Sequence, residues 1–228
     1  MKKVLIVLTN TTRYEGTQEP TGLWLGEAAE FYDELSKVGI TADFVSPKGG
    51  FVPLDPRSMK YTDNAIMKVY ETTDFQKRAL QESLAAGDLS ARSGEYGVIY
   101  YTGGHGVMWD FPDDENLQQL AAAIYEQGGI VSSVCHGIAG LLNVKDSSGV
   151  YLISGKAVTG FTKAEEILAG KLRVVPFLNR EEVLKRGGIF RKKRFYSDHS
   201  IQDGRLITGQ NPFSVRSTAK LVIKELTR

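Results

Sequence analysis

The chain has 228 residues, 42% hydrophobic and 24% charged, which is enough apolar surface for a core without disulfide or metal staples and too much for intrinsic disorder. With 28 Lys and Arg against 27 Asp and Glu, the formal net charge is +1, so no overall field favours nucleic acid. The single cysteine, Cys135, excludes an intramolecular disulfide framework, and no apolar run approaches the roughly 18 residues of a membrane helix. The apolar run that follows the N-terminal lysines is too short for a signal peptide, so no membrane association and a cytoplasmic location are expected.

Lys3 to Leu8 is a continuous apolar, β-branched run of the kind buried on both faces of a sheet. Thr21 is placed to cap a helix from Gly22 to about Val38, with Trp24, Ala28, Phe31 and Leu35 at helical spacing and Gly39 ending it. Ile40 to Val45 reads as a second strand. Residues 46–73, with Gly49, Gly50, Pro53 and Pro56, are too long for an ordinary connection and suggest a flap. A helix over about Asp74 to Ala86 follows, then a buried strand from Tyr96 to Tyr101 and the turn Thr102 to Gly106.

A helix near Glu115 to Gln127 leads into the strand Gly129 to Val134 and a short helix from His136. Beyond it come a strand at Ala157 and Val158, a helix after Thr162, another near Arg180 to Lys185, a strand from Leu206 to Thr208 and a terminal helix from about Ser214. The basic run Arg191 to Arg194 is read as a solvated turn. Strands alternating with helices predict an α/β fold, a doubly wound, mostly parallel sheet with helices on both faces and a ligand site at the carboxyl ends of the strands. No linker divides the chain, so one domain over residues 1–228 is expected.

Cys135 stands at a strand-to-helix junction with Ser133 two before it and Gly137 two after, which has the form of a nucleophile elbow. Such a turn exposes the sulfur, and the following helix N-terminus predicts a depressed thiol pKa. The competing reading is an inert buried thiol, against which the adjacent His136 weighs. Gly103 and Gly104 let backbone N–H groups face a ligand, and the Gly104 and His136 N–H groups are the candidate oxyanion donors. His105 reads equally as an exposed turn residue or as a substrate contact, and His199 as a surface residue. Three scattered histidines without paired spacing give no metal-site pattern.

Glu27 falls at the edge of the apolar stripe of its helix, where half-burial would raise its pKa and make it a hydrogen-bond donor, unless it is an ordinary boundary glutamate. Thr162 and Glu165 form a capping box, which accounts for Glu165 and leaves Glu166 free to orient a histidine.

These segments together, KVLIVLT, TGLWLGEAAEF, ADFVSPKGG, TGGHGVMWDFPDD, GGIVSSVCHG, GKAVTGFTKAEE, VVPF and DGRLITGQNP, resemble the ThiJ/PfpI superfamily over nearly the whole chain. Within it they resemble the branch of heat-shock chaperones and glutathione-independent glyoxalases. The resemblance implies a flavodoxin-like, class I glutamine amidotransferase-like fold and a catalytic group of Cys135, His136 and Glu166, with Glu27 touching the sulfur. It also implies a cofactor-free glyoxalase that turns methylglyoxal or a related 2-oxoaldehyde into a hydroxy acid such as D-lactate, and a homodimer. Deglycase action on glycated proteins is a further possibility of the branch. The competing function is a holdase for misfolded proteins, or a redox sensor that uses Cys135 as an oxidation target. An amidotransferase-like or protease-like hydrolase ranks last, since the late His199 lacks a glutamate two residues on.

Overall fold

The computed structural model describes residues 2–228. Strand β1 (Lys3–Val7) sends Val4 and Ile6 to one face and Leu5 and Val7 to the other, and all four are fully buried, as a strand covered on both sides requires. Helix α1 (Leu25–Lys37) follows, then β2 (Ala42–Ser46), helix α2 (Asn64–Tyr70), β3 (Leu84–Ala85), β4 (Tyr96–Tyr101), helix α3 (Glu115–Glu126) and β5 (Ile130–Val134). The chain continues through β6 (Ala157–Val158), α4 (Lys163–Leu168), α5 (Asn179–Lys185), β7 (Ile189–Phe190), β8 (Ser200–Asp203), β9 (Leu206–Gly209) and α6 (Val215–Leu226).

Seven strands form one sheet in the order β3-β2-β1-β4-β5-β9-β8. Every pairing is parallel except that of β8 with β9. Phe31 and Leu35 of α1 and Ala219 and Val222 of α6 pack on Val4, Ile6 and Tyr100, while Leu117, Leu120 and Ile124 of α3 pack with Leu5, Val7 and Tyr101 on the opposite face. The winding reverses between β1 and β4, and the carboxyl ends of β1, β4 and β5 therefore meet at the switch point of the sheet, the usual ligand crevice of such folds.

Several predicted elements differ. Helix α1 starts at Leu25, with Trp24 at its N-cap and no side-chain cap. Residues 21–24 are instead tied to the 53–55 segment: Leu23 N donates to Pro53 O (2.8 Å), Asp55 N to Leu23 O (2.9 Å), and the Thr21 hydroxyl to Asp55 Oδ2 (3.1 Å). The predicted flap contains α2, capped by Asp63, whose side chain accepts from Ile66 N at 2.8 Å. The helix expected up to Ala86 is one α-turn, Thr73–Phe75, running into a π-helical stretch that stops at Gln81, because the chain must then extend to pair β3 with β2. Strand β6 leaves the main sheet and pairs with β7. Arg191 to Arg194 are all exposed.

Candidate active site

Cys135 follows β5 in a left-handed conformation, φ 58°, that only one other non-glycine residue shares among those described, Tyr196 at φ 52°. A non-glycine residue held there is strained, and such strain gathers at functional sites. The turn is possible because Gly137 lies flush against β4: a Cβ at Gly137 would fall 2.3 Å from Tyr101 O. The thiol faces a cavity of about 650 Å³ lined by Trp24, Arg57, Tyr61, His136, Phe161 and Tyr196, among others.

His136 Nδ1 is 3.3 Å from Cys135 Sγ, and its Nε2 is 2.7 Å from Glu166 Oε1. Glu166 Oε2 is 3.0 Å from His105 Nε2, and His105 Nδ1 is 2.8 Å from Arg57 Nη2. A guanidinium only donates, so His105 Nδ1 accepts and His105 Nε2–H donates to Glu166. Burial alone would raise Glu166, but the two imidazoles hold it down to about 2. Burial, then the neighbouring His136 and Arg57, lowers His105 to about 4 against the pull of Glu166. His105 is thus buried, 3% exposed, with both ring nitrogens engaged and only its carbon edge left for a substrate.

Glu27 projects from the first turn of α1 and is completely buried rather than half-buried. Its Oε2 accepts from Gly103 N at 2.6 Å. Its Oε1 meets no hydrogen-bond partner, and the Cys135 thiol lies beside the carboxyl. Burial pushes Glu27 up to about 8, so the carboxyl keeps its proton at neutral pH. The thiol is not depressed as the elbow suggested: burial, then Glu27, pushes it well up, and the His136 N–H turned toward the sulfur only partly opposes this. Burial wins because the elbow opens a seven-residue 3₁₀ run, Cys135–Leu141, rather than a long α-helix whose dipole could stabilise a thiolate.

Of the two candidate oxyanion donors, His136 N–H is turned toward the sulfur, and Gly104 N–H meets no acceptor among the described residues. Gly104 has φ 98°, and a Cβ there would lie 2.3 Å from Gly22 O, so the close approach of two backbones requires glycine. Glu165 completes its capping box and does more: its Oε1 also accepts from Tyr196 N (2.9 Å), Gln210 Nε2 (3.0 Å) and Asn211 Nδ2 (3.0 Å). It thereby holds the strained Tyr196 at the cavity wall. His199 is half-buried, its N–H donating to Ser214 Oγ away from the site.

His105, His136 and Glu166 each offer a ligand atom within 4.8 Å of the others. A metal on His105 Nε2 would require the ring proton on Nδ1, where Arg57, a donor only, already sits. The surroundings have the wrong polarity for a metal-bound imidazole, and the three residues fit a hydrogen-bonded chain instead. Arg57, Asp55 and Tyr196 were not anticipated. Their roles depend on contacts across the fold, 48 residues apart in the case of Arg57 and His105, and no local pattern signals them.

No family model matches the chain. The glutathione-independent glyoxalase HSP31 of Saccharomyces cerevisiae is 34% identical over 96% of this chain and 95% of its own length. A crystal structure of glyoxalase III from Candida albicans matches with a TM-score of 0.87 at 28% identity, covering 98% of this chain and 97% of that one. The Rapid Encystment Protein of Francisella tularensis matches with a TM-score of 0.94 at 34% identity over 99% of both chains. A ThiJ/PfpI domain protein from Brachyspira murdochii, 15% identical with a TM-score of 0.65 over 100% of this chain and 98% of its own, shares the fold. Among the described residues no helix is long and apolar enough to cross a membrane.

Proposed function

From the premise that this chain belongs to the family of glutathione-independent glyoxalases, we propose that it converts methylglyoxal or a related 2-oxoaldehyde to the 2-hydroxy acid without glutathione. The observation that carries this reading is the contact of Cys135 Sγ with His136 Nδ1 at 3.3 Å, with His136 oriented from behind by Glu166. A thiol that burial keeps protonated needs a base at the moment of attack, and that nitrogen is the base within reach.

Cys135 sulfur adds to the aldehyde carbon as His136 moves the thiol proton to the carbonyl oxygen, giving a hemithioacetal. His136 Nδ1 then takes the hydrogen of that carbon as a proton, the electron pair forms an enediolate, and the proton is returned to the neighbouring carbon while the hydroxyl proton passes to that carbon's oxygen, leaving a 2-hydroxy thioester. Water cleaves the thioester, releasing the hydroxy acid and restoring the thiol. Glu166, ionised between two imidazoles, balances the positive charge His136 carries between these transfers. Gly104 N–H and His136 N–H are the donors for a developing oxyanion, and Glu27 donates to the sulfur or to that oxygen.

The cavity, at about 650 Å³, is much larger than a three-carbon aldehyde, which supports a range of 2-oxoaldehydes. Family membership supports the rest of the reading: a homodimer acting in the cytoplasm without a cofactor. The decisive experiment incubates purified protein with methylglyoxal and no glutathione. Lactate should form with the wild type and not with Cys135→Ser, and a wild type that makes no lactate overturns the assignment.

A further inference from the structure

Glu166 has two carboxylate oxygens and two imidazole neighbours, only one of which touches the sulfur. A carboxylate with one oxygen free could rotate about its terminal bond and offer His136 poorer geometry. Here the second oxygen is occupied by His105 Nε2 at 3.0 Å, and the far nitrogen of that ring is occupied by Arg57 Nη2 at 2.8 Å. Arg57 is fixed in turn by Asp55, which is completely buried and takes Arg57 Nε at 3.0 Å on one oxygen and Nη2 at 2.6 Å on the other. Tyr14 hydroxyl also sits against Arg57 Nη2, whose two hydrogens are shared among Tyr14, Asp55 and His105. The ring of His105 lies 5.5 Å from that of Tyr14, 4.2 Å from His136 and 6.2 Å from Phe161, centroid to centroid.

We infer that Arg57 and His105 are a positioning pair: Arg57, donating to Nδ1, anchors the His105 ring, and His105 pins one oxygen of Glu166 so that the other is presented to His136. The inference rests on the proposed roles of Cys135 and His136. It deepens them by joining the 46–73 segment to the thiol through a chain from Asp55 by way of Arg57, His105, Glu166 and His136 to Cys135. The polarity of the chain is fixed from both ends, because Arg57 only donates and the ionised Glu166 only accepts. His105 transfers no proton in this arrangement, since its acceptor nitrogen faces a guanidinium and its donor nitrogen faces a carboxylate.

Two measurements on the full chain test it. The protein has three histidines, so imidazole nitrogen–proton correlation spectra of the wild type and of His105→Gln identify the His105 signals by difference. They should show Nδ1 bare and Nε2 protonated at pH 7, and Arg57→Met should keep that tautomer, held by the acceptor Glu166, while shifting the Nδ1 signal toward that of a nitrogen with no hydrogen-bond donor. Kinetically, His105→Ala should lower kcat about tenfold or more, with KM within about threefold. His105→Gln should recover most of that loss, because its amide oxygen can accept from Arg57 while its NH₂ donates to Glu166. A wild-type His105 protonated on Nδ1, an Nδ1 signal unmoved by Arg57→Met, or a His105→Gln variant as impaired as His105→Ala would each overturn the inference. A wild type without glyoxalase activity would defeat the proposed function, and the spectra would still decide the tautomer.

Discussion

Glu27 keeps a proton at neutral pH because three elements enclose it. Its own helix stacks Phe31 on Tyr100 at 3.5 Å, the Tyr100 hydroxyl donates to Glu27 O at 3.0 Å, and Gly103 closes over the carboxyl. Helical spacing places Glu27 at the edge of a stripe but says nothing about the strand and turn that cover that edge, so half-burial was as far as the sequence could carry the argument. With the acid pushed up to about 8 by burial, kcat/KM of the wild type should fall as pH rises through about 8, where the donor to the sulfur is lost. Glu27→Gln cannot ionise and should lack this descent, at roughly a tenth of wild-type activity at pH 7, and Glu27→Ala, with no donor, should be lower still. A pH–rate profile of the three proteins checks this; a fall at the same pH in Glu27→Gln would assign it to another group.

At the scale of elements, the 3₁₀ run after β5 and the end of β4 behave as one packed unit. A Cβ at Gly137 would meet Tyr101 O at 2.3 Å, and one at Gly140 would meet the Tyr101 ring at 2.3 Å. A carbonyl in a central strand cannot retreat, so Gly137→Ala should cost about 3 kcal/mol of stability and displace Cys135 from Gly103, with activity lost as well. Gly94, whose added Cβ would come no closer than 3.8 Å to a neighbour, is the control, and urea titrations of Gly94→Ala and Gly137→Ala should separate clearly. The central strands of this unit were legible: β4 was read to its boundaries from its run of aromatic and β-branched residues, and β5 to within one residue from Ile130, Val131 and Val134 even though Ser132 and Ser133 interrupt its apolar pattern. The capping box at Thr162 was legible for the same reason of locality. The start of α1 was not, because the backbone of residues 22–24 is claimed by the 53–55 segment and by Gly103 O. Nor was the partnership of His105 with Glu166, 61 residues away.

Across the whole molecule, Glu27 and His105 give folding stability pH dependences of opposite sign. Glu27 binds its proton more tightly in the folded state, about 8 against 4.5, so its contribution is complete below pH 4.5 and is lost as pH rises toward 8, on the order of 4 kcal/mol. His105 binds its proton less tightly when folded, about 4 against 6.5. Its contribution is complete above pH 6.5 and is lost as pH falls toward 4, on the order of 3 kcal/mol. Between pH 4.5 and 6.5 the two slopes oppose each other, and outside that window each acts without the other. Substitution should therefore separate them. Relative to wild type, Glu27→Gln should gain stability steadily from pH 4.5 to 8, and His105→Gln should gain it from pH 6.5 down to 4. Thermal unfolding of the three proteins across pH 4 to 8 measures both differences. If the two variants track the wild type in parallel, these side chains titrate alike in the folded and unfolded chain, and the proton held by Glu27 and refused by His105 would not be a property of the fold.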